Sequence, residues 1–291
     1  MSASNTGNRK TVLITGCSPG GIGHHLAKEY HSKGLRVIAT ARNPAALEDL
    51  AALGLETFEL DVSRIDSVHA GRDRVASITG GTLDILVNNA GKGLSLPATD
   101  CDIDEVKEMF EVNLFGVMRM VQEFSSLLIA SGDGRIVNIG SIAGVMPYPF
   151  GSAYNASKAA LHSYGDTLRL ELAPFNVQVI TIVTGGVKSN ISRERRLIQP
   201  TSLYAPIADI FAERRVGRSQ VGAMPTADYA REVVAQTLKH HVKAWFWTGK
   251  FSWICWFGAT FAGSRAFDRA FSREFGLSAL KSILWKQKKQ N

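Results

Sequence analysis

Six short runs rich in β-branched residues, separated by longer stretches of helical periodicity, fill the chain from Lys10 to Val183. Few folds accept that alternation. Strands joined by helical crossovers lie parallel, and a parallel sheet buries both faces under helices. Strands are expected over Lys10–Thr15, Leu35–Thr40, Leu55–Leu60, Leu83–Asn88, Arg135–Ile139 and Val177–Val183. Helices are expected over Ile22–Lys33, Pro44–Leu53, Ile65–Ile78, Asp104–Ala130 as one long piece, and Ser152–Ala173. Pro44 opens the second of these, Gly54 closes it, and Pro174 stops the last. Beyond Val183 the rhythm weakens. Gly185–Pro225, rich in Arg, Pro and Gly, predicts a mobile excursion without regular elements. A helix over Thr226–His241 and a seventh strand over Ala244–Thr248 follow. Neither an internal repeat nor a long linker divides the chain, so it reads as a single α/β domain with a doubly wound parallel sheet.

The first strand runs into Thr15-Gly16-Cys17-Ser18-Pro19-Gly20-Gly21-Ile22-Gly23, which opens the first helix. Glycines there let the backbone approach a pyrophosphate, and the helix N-terminus offers it oriented N–H groups. The turn therefore predicts a bound dinucleotide and a Rossmann-like sheet. Cofactor choice is read at the end of the second strand. An acidic residue there would bond the adenosine ribose. The run Ala39-Thr40-Ala41-Arg42 has none, and Arg42 can pair with a 2′-phosphate instead. The cofactor expected is NADP(H).

Tyr154 and Lys158 stand four apart and share a helix face. An ammonium beside a phenol favours the phenolate, so Lys158 is expected to lower the Tyr154 pKa. Such a phenol can exchange a proton with a carbonyl or alcohol oxygen. Ser141, just after the fifth strand, can hydrogen-bond the same oxygen. His24-His25 and His240-His241 lie at helix ends, lack metal-ligand partners and read as polar surface. The three cysteines, Cys17, Cys101 and Cys255, form no close pair. They predict no metal site and a reducing compartment.

Taken in order, the glycine turn, Asp61-Val62, Asn88-Asn89-Ala90-Gly91, Asn113, Ser141 and Tyr154…Lys158 resemble the short-chain dehydrogenase/reductase family over about residues 10–190. The resemblance implies Tyr154 as general acid/base and Ser141 as the group that positions the substrate oxygen. Lys158 would lower the tyrosine pKa and bond the nicotinamide ribose. Asn113 would hold a water in a proton relay to Lys158. It further implies cofactor contacts from Ile14, Gly16, Ser18, Gly21, Ile22, Gly23, Arg42, Asp61, Val62, Asn89, Ala90, Gly91, Val187 and Ser189, besides Tyr154 and Lys158. Two departures stand out. Gly20-Gly21 makes the glycine turn one residue longer than usual, and Thr184-Gly185 replaces the usual Pro-Gly after the sixth strand. The Thr-Gly-Cys-Ser-x-Gly-Gly-Ile-Gly form, Thr184-Gly185-Gly186-Val187 and the aromatic tail are similar to fungal 1-acyldihydroxyacetone phosphate reductases and to reductases of fungal secondary-metabolite pathways. The activity implied is reversible ketone reduction on a hydrophobic small molecule, by an enzyme that commonly forms homo-oligomers. A non-catalytic dinucleotide-binding module is the alternative of another class, and the intact Ser141/Tyr154/Lys158 set argues against it. The domain then divides into a core over 10–190, a substrate lid over 191–225 and an aromatic, basic extension over 244–291.

Charge singles out the same last third. Residues 1–190 carry 16 Lys and Arg against 19 Asp and Glu, whereas 191–291 carry 17 against 7. Such a basic segment suits an anionic lipid surface, a phosphorylated substrate or a solvated face; no nucleic-acid reader motif accompanies it. Arg193, Arg195 and Arg196 are candidates for a substrate phosphate. Four of the five tryptophans fall between residues 244 and 277 with seven phenylalanines, and Phe267, Phe271 and Phe275 repeat every four residues. These aromatics either complete the core and a subunit interface or form an apolar wall continuous with a lipid-facing surface. The uncharged stretch Phe251–Ser264 is 14 residues, short of the roughly 20 a spanning helix needs. With the polar Met1–Lys10, this predicts a cytoplasmic protein, peripheral at most to the endoplasmic reticulum or lipid droplets.

Overall fold

The computed structural model describes residues 9–191, 196–216 and 221–290. Seven parallel strands form one sheet in the order β3-β2-β1-β4-β5-β6-β7. They are β1 (Thr11–Ile14), β2 (Arg36–Ala41), β3 (Glu56–Glu59), β4 (Ile85–Asn88), β5 (Gly134–Ile139), β6 (Val177–Thr184) and β7 (Trp245–Thr248). Each lies within two residues of its sequence expectation; the five inner strands are short runs buried almost throughout, and the edge strands β3 and β7 keep partly exposed side chains.

Alternate side chains of the strands feed two separate cores. Val12, Ile14, Ile85, Val87, Val137, Ile139, Ile180 and Ile182 point to one face. There they meet α1 (Ile22–Ser32) and α8 (Thr226–Thr237) through Leu26, Tyr30, Tyr229 and Val233. Leu13, Leu86, Ile136 and Val179 point the other way. They pack under α3 (Ile65–Thr79), α5 (Gly116–Ala130) and α6 (Ser152–Leu172), with Val75, Phe124 and Leu161 among their partners. The Pro44–Leu53 helix is a 3₁₀ turn, Pro44–Leu47, followed by α2 (Glu48–Ala52).

Three regions differ from the expectations. The long helix is α4 (Ile103–Phe110) joined to α5 through a π-helical turn, Glu111–Phe115. The Gly185–Pro225 stretch, read from the sequence as a mobile excursion, carries a 3₁₀ turn at Ala205–Ile207, α7 (Ala208–Phe211) and a π turn over Ala212–Val216. It is ordered by contact rather than by periodicity. Ile198, Ile207 and Phe211 form a third core with Phe150, Phe275 and Leu280, away from the sheet. The helix after Pro225 ends at Thr237, and His240 and His241 lie beyond it.

The tail folds as α9 (Ser252–Phe261), α10 (Asp268–Glu274) and α11 (Leu277–Gln290). Its aromatics divide between buried and exposed positions. Phe271 and Phe275 join the third core. On α9 the small residues Ser252, Cys255 and Gly258 face inward, and Gly258 leaves room for the Phe267 ring. Trp253, Ile254, Trp256, Phe257 and Phe261 are left exposed, as is Trp285 on α11. No described helix is long and apolar enough to cross a membrane.

Candidate active site

Strand order reverses between β1 and β4. A crevice opens there at the carboxyl ends of the strands, the usual ligand position in open α/β sheets. Its floor is tied by Asn89, whose Nδ2 donates to the Thr15 and Gly16 carbonyls at 2.8 and 2.9 Å. The backbone N–H groups of Asn89 and Ala90 both donate to Thr15 Oγ1 at 3.1 Å. The glycines are required by space. A Cβ on Gly16 would lie 2.9 Å from the Ala90 Cα, and one on Gly23 2.4 Å from Asn89 Nδ2. The additional residue of the turn is accommodated because Gly20 takes a left-handed φ of 71°. Ile14 is buried beneath the turn, Ser18 is exposed on it, and Gly21 caps α1 ahead of Ile22.

Arg42 lies one residue beyond β2. It is exposed, with neither ion pair nor hydrogen bond among the described residues. The Cys17 N–H donates to the Thr40 carbonyl at 2.8 Å and holds the glycine turn against that strand end. Past β3, Asp61 Oδ1 accepts from the Ser63 N–H at 2.9 Å and the Ser63 hydroxyl at 2.7 Å. Val62 turns its side chain into the second core, where a Cβ on Gly116 would meet it at 2.7 Å.

The other wall is a stripe on α6, where Tyr154, Lys158 and His162 follow at intervals of four. Lys158 is buried, donates to the Ile139 carbonyl at 2.9 Å and lies 5.9 Å over the Tyr154 ring centre. Burial pushes its pKa down to about 8. The Tyr154 phenol hydrogen-bonds Ser141, and Ser141 Oγ accepts from the Ala143 N–H at 3.1 Å. Burial raises the phenol above its ordinary range; the Ser141 bond and the nearby Arg215 charge pull down without reversing it. That corrects the expected direction. The Lys158 ammonium is engaged by the Ile139 carbonyl and the ring face rather than by the phenol oxygen.

Asn113 sits in the π turn. Its Oδ1 accepts from the Lys92 N–H at 2.8 Å, and its Nδ2 donates to the Lys92 carbonyl at 2.9 Å and to Ser157 Oγ at 3.0 Å. It thereby joins the loop after β4 to α6. A Cβ on Gly91 would stand 3.4 Å from Asn113 Oδ1 and 3.9 Å from Lys158 Nζ, so these three meet at one point. After β6, Val187 is buried and pairs with Met224, and Ser189 follows. Asn190 then donates to the Pro19 carbonyl at 2.8 Å, which brings this segment over the glycine turn.

Two residues of this region went unread in the sequence. His162 continues the stripe of four, and its Nε2 accepts from the Ser141 N–H at 3.2 Å. Gly140 and Gly144 flank its ring, each too close to accept a Cβ. Arg215, within the excursion, had no pattern to mark it. Of the expected phosphate cluster, Arg196 is paired with Glu105, and Arg193 and Arg195 lie outside the described residues. His24 is not surface: it is buried, with Nε2 2.6 Å from Asp49.

The family model described as short chain dehydrogenase matches residues 10–199. The short-chain dehydrogenase virD of Hypocrea virens is 45% identical over 282 residues, covering 95% of this chain and 96% of its own. The NADPH-dependent 1-acyldihydroxyacetone phosphate reductase of Schizosaccharomyces pombe is 45% identical over 212 residues, 71% of each chain. A short-chain dehydrogenase from Streptomyces avermitilis superposes with a TM-score of 0.77 at 26% identity, over 94% of this chain and 97% of that one.

The His162 ring sets a pH dependence. Burial, and then the Lys158 charge, press its pKa to about 4, against about 6.5 when unfolded. Between these values the unfolded chain holds a proton that the native ring refuses. Stability therefore falls as pH drops through this window, by on the order of 3 kcal/mol in all. His162→Gln keeps an acceptor but does not titrate. Urea melts at pH 7 and pH 4.5 should show a smaller acid loss in this variant; equal losses would exclude His162 as the source.

Proposed function

This chain belongs to the short-chain dehydrogenase family, and from that premise we propose an NADP(H)-dependent oxidoreductase that reduces a ketone of a hydrophobic substrate or oxidises the matching secondary alcohol. The observation that carries this is the hydrogen bond between the Tyr154 phenol and Ser141 beside a buried Lys158. A dinucleotide fits the residues present. Gly16 and Gly23 keep open a cradle that a Cβ would fill. The first turn of α1 offers free N–H groups. Unpartnered Arg42 suits a 2′-phosphate, in keeping with the NADPH-dependent relative. Ile14, Ser18, Gly21, Ile22, Asp61, Val62, Asn89, Ala90, Gly91, Val187 and Ser189 complete the proposed cofactor contacts.

Bound reduced nicotinamide supplies a hydride. Tyr154 donates the proton to the carbonyl oxygen, and its raised pKa keeps the phenol protonated near neutrality, the state a donor needs. Ser141 holds the same oxygen by a hydrogen bond that strengthens as negative charge grows on it. Lys158 keeps a positive charge below about pH 8 beneath the tyrosine. Asn113 fixes the Lys92 loop against Ser157 of α6, and through it the position of Lys158. Residues 10–190 act as the core, 191–225 as the substrate lid and 244–291 as the apolar extension. An acyl-dihydroxyacetone-phosphate-like lipid is the substrate class favoured by the relative's name. A ketone of a fungal secondary-metabolite pathway is the other. The exposed aromatics of α9, together with the cations Lys281, Lys286, Lys288 and Lys289 of α11, supply a surface that rests on anionic lipid.

Three outcomes test this reading. Tyr154→Phe should keep NADPH affinity, measured by fluorescence titration, yet lose roughly 10²–10⁴-fold in kcat on a ketone panel. Retention of a tenth or more of the rate would remove Tyr154 as the acid. Arg42→Asp should shift the NADPH/NADH ratio of kcat/KM toward NADH by about 10- to 100-fold, the worth of a charge-assisted phosphate contact; a wild type that already prefers NADH would refute the cofactor assignment. Wild type should float with anionic liposomes at low salt, whereas Trp253→Ser/Phe257→Ser should sediment; a wild type that also sediments would leave α9 without a lipid role.

A further inference from the structure

Arg215 lies in the π turn Ala212–Val216 of the excursion and reaches back to the loop between Ser141 and Tyr154. Its guanidinium carbon lies 4.7 Å over the centre of the Tyr148 ring. Its Nε donates to the Pro149 carbonyl at 3.1 Å. One terminal nitrogen comes so close to Gly151, the residue before α6, that a Cβ there would lie 2.8 Å away. The group is thus anchored at one corner, stacked on an aromatic face and seated at the start of the helix that presents Tyr154. Neighbouring charges are spoken for: Glu213 pairs with Arg214, and Glu105 with Arg196. Among the described residues no carboxylate faces Arg215, and its two terminal nitrogens have no hydrogen-bond acceptor.

Apart from Asn155, whose Oδ1 lies 3.2 Å from the same Cβ position on Gly151, the surroundings are aromatic. Tyr148 packs edge-on against Phe271 and Phe275, and Phe150 against Tyr204 and Phe211. A guanidinium largely withdrawn from water without a counter-charge is costly, so a cation held this way calls for an anion. Two free terminal nitrogens in one plane match the paired oxygens of a phosphate or carboxylate. The loop Gly144–Gly151 sets this fork beside the Ser141–Tyr154 hydrogen bond.

We propose that Arg215 is the anion-binding residue of the substrate site, and that the substrate carries a phosphate or carboxylate close to its reacting carbonyl. The proposal rests on the reading of Ser141 and Tyr154 as the carbonyl site. It assigns to the pocket mouth the anion contact that the sequence had assigned to Arg193, Arg195 and Arg196.

Binding tests it apart from turnover. Protein saturated with NADP⁺, so that the cofactor's own phosphate contacts are filled, is titrated calorimetrically with dodecyl phosphate, dodecanoate and dodecanol. Wild type should bind one or both anions about 10- to 100-fold more tightly than the alcohol, the worth of a charge-assisted fork. Which anion wins identifies the headgroup. Arg215→Met should level the three ligands while leaving alcohol binding unchanged, and Arg215→Lys should retain part of the preference. In turnover, Arg215→Met should raise KM far more for 1-acyldihydroxyacetone phosphate than for its dephosphorylated ketone. A wild type that binds all three ligands alike overturns the proposal. So does an Arg215→Met that weakens all three equally, which would make the residue a support of the Tyr148 loop. Charge-selective binding without turnover of any ketone would instead strike the oxidoreductase reading and leave the anion site standing.

Discussion

One amide side chain holds the cleft in shape. Asn89 leaves the end of β4 and donates twice to the glycine turn that leaves β1, while Thr15 accepts from the two N–H groups that follow β4. Across the switch in strand order no helix crossover spans the gap between these two ends. Without these bonds the turn and the loop would be free to part, and four hydrogen bonds between buried or half-buried polar groups would be lost at once. The close glycines follow from the same bonds: a Cβ at Gly16 or Gly23 would wedge apart the atoms that Asn89 draws together.

The opposite wall is organised by a helix rather than by loops. The stripe Tyr154, Lys158, His162 on α6 makes three contacts with the end of β5 and the turn after it, through Ser141, the Ile139 carbonyl and the Ser141 N–H. A single rigid element thus sets the phenol, the ammonium and the imidazole relative to one strand end. The π turn around Asn113 adds one residue to the α4–α5 helix and lets that amide face the Lys92 loop and Ser157 together. Such bulges recur where a helix must aim a side chain that regular α geometry would turn aside.

How much of this the sequence made legible follows from range. Buried parallel strands are written as local apolar runs, so all seven were visible within two residues. Tyr154 and Lys158 were visible because i,i+4 is itself a local rule. The π turn was not, since Glu111–Phe115 has the composition of the α-helix around it. His162 and Arg215 acquire their roles from partners 21 and 66 residues away, and no periodicity records such contacts. The short helices at Ala205–Val216 are held by Phe150 and Phe275, so their own sequence lacks an amphipathic stripe. The Tyr154 pKa ran opposite to expectation because sequence spacing gave the lysine's height on the helix but neither the burial that raises the phenol nor the Ile139 carbonyl that accepts from the ammonium.

The third core has a further consequence. It draws Phe150 from the loop before α6, Ile198 to Phe211 from the excursion and Phe275 to Leu280 from the tail, and shares no residue with the two cores that flank the sheet. Substitutions there trade volume among themselves without disturbing the packing between strands and their covering helices. The molecule therefore has one part that must stay as it is to fold and another that is free to drift. Volume-conserving exchanges in the third core, Phe for Leu or Tyr for Trp, are absorbed within it while the frame that sets the strand ends remains untouched, because the two are separate bodies of packing.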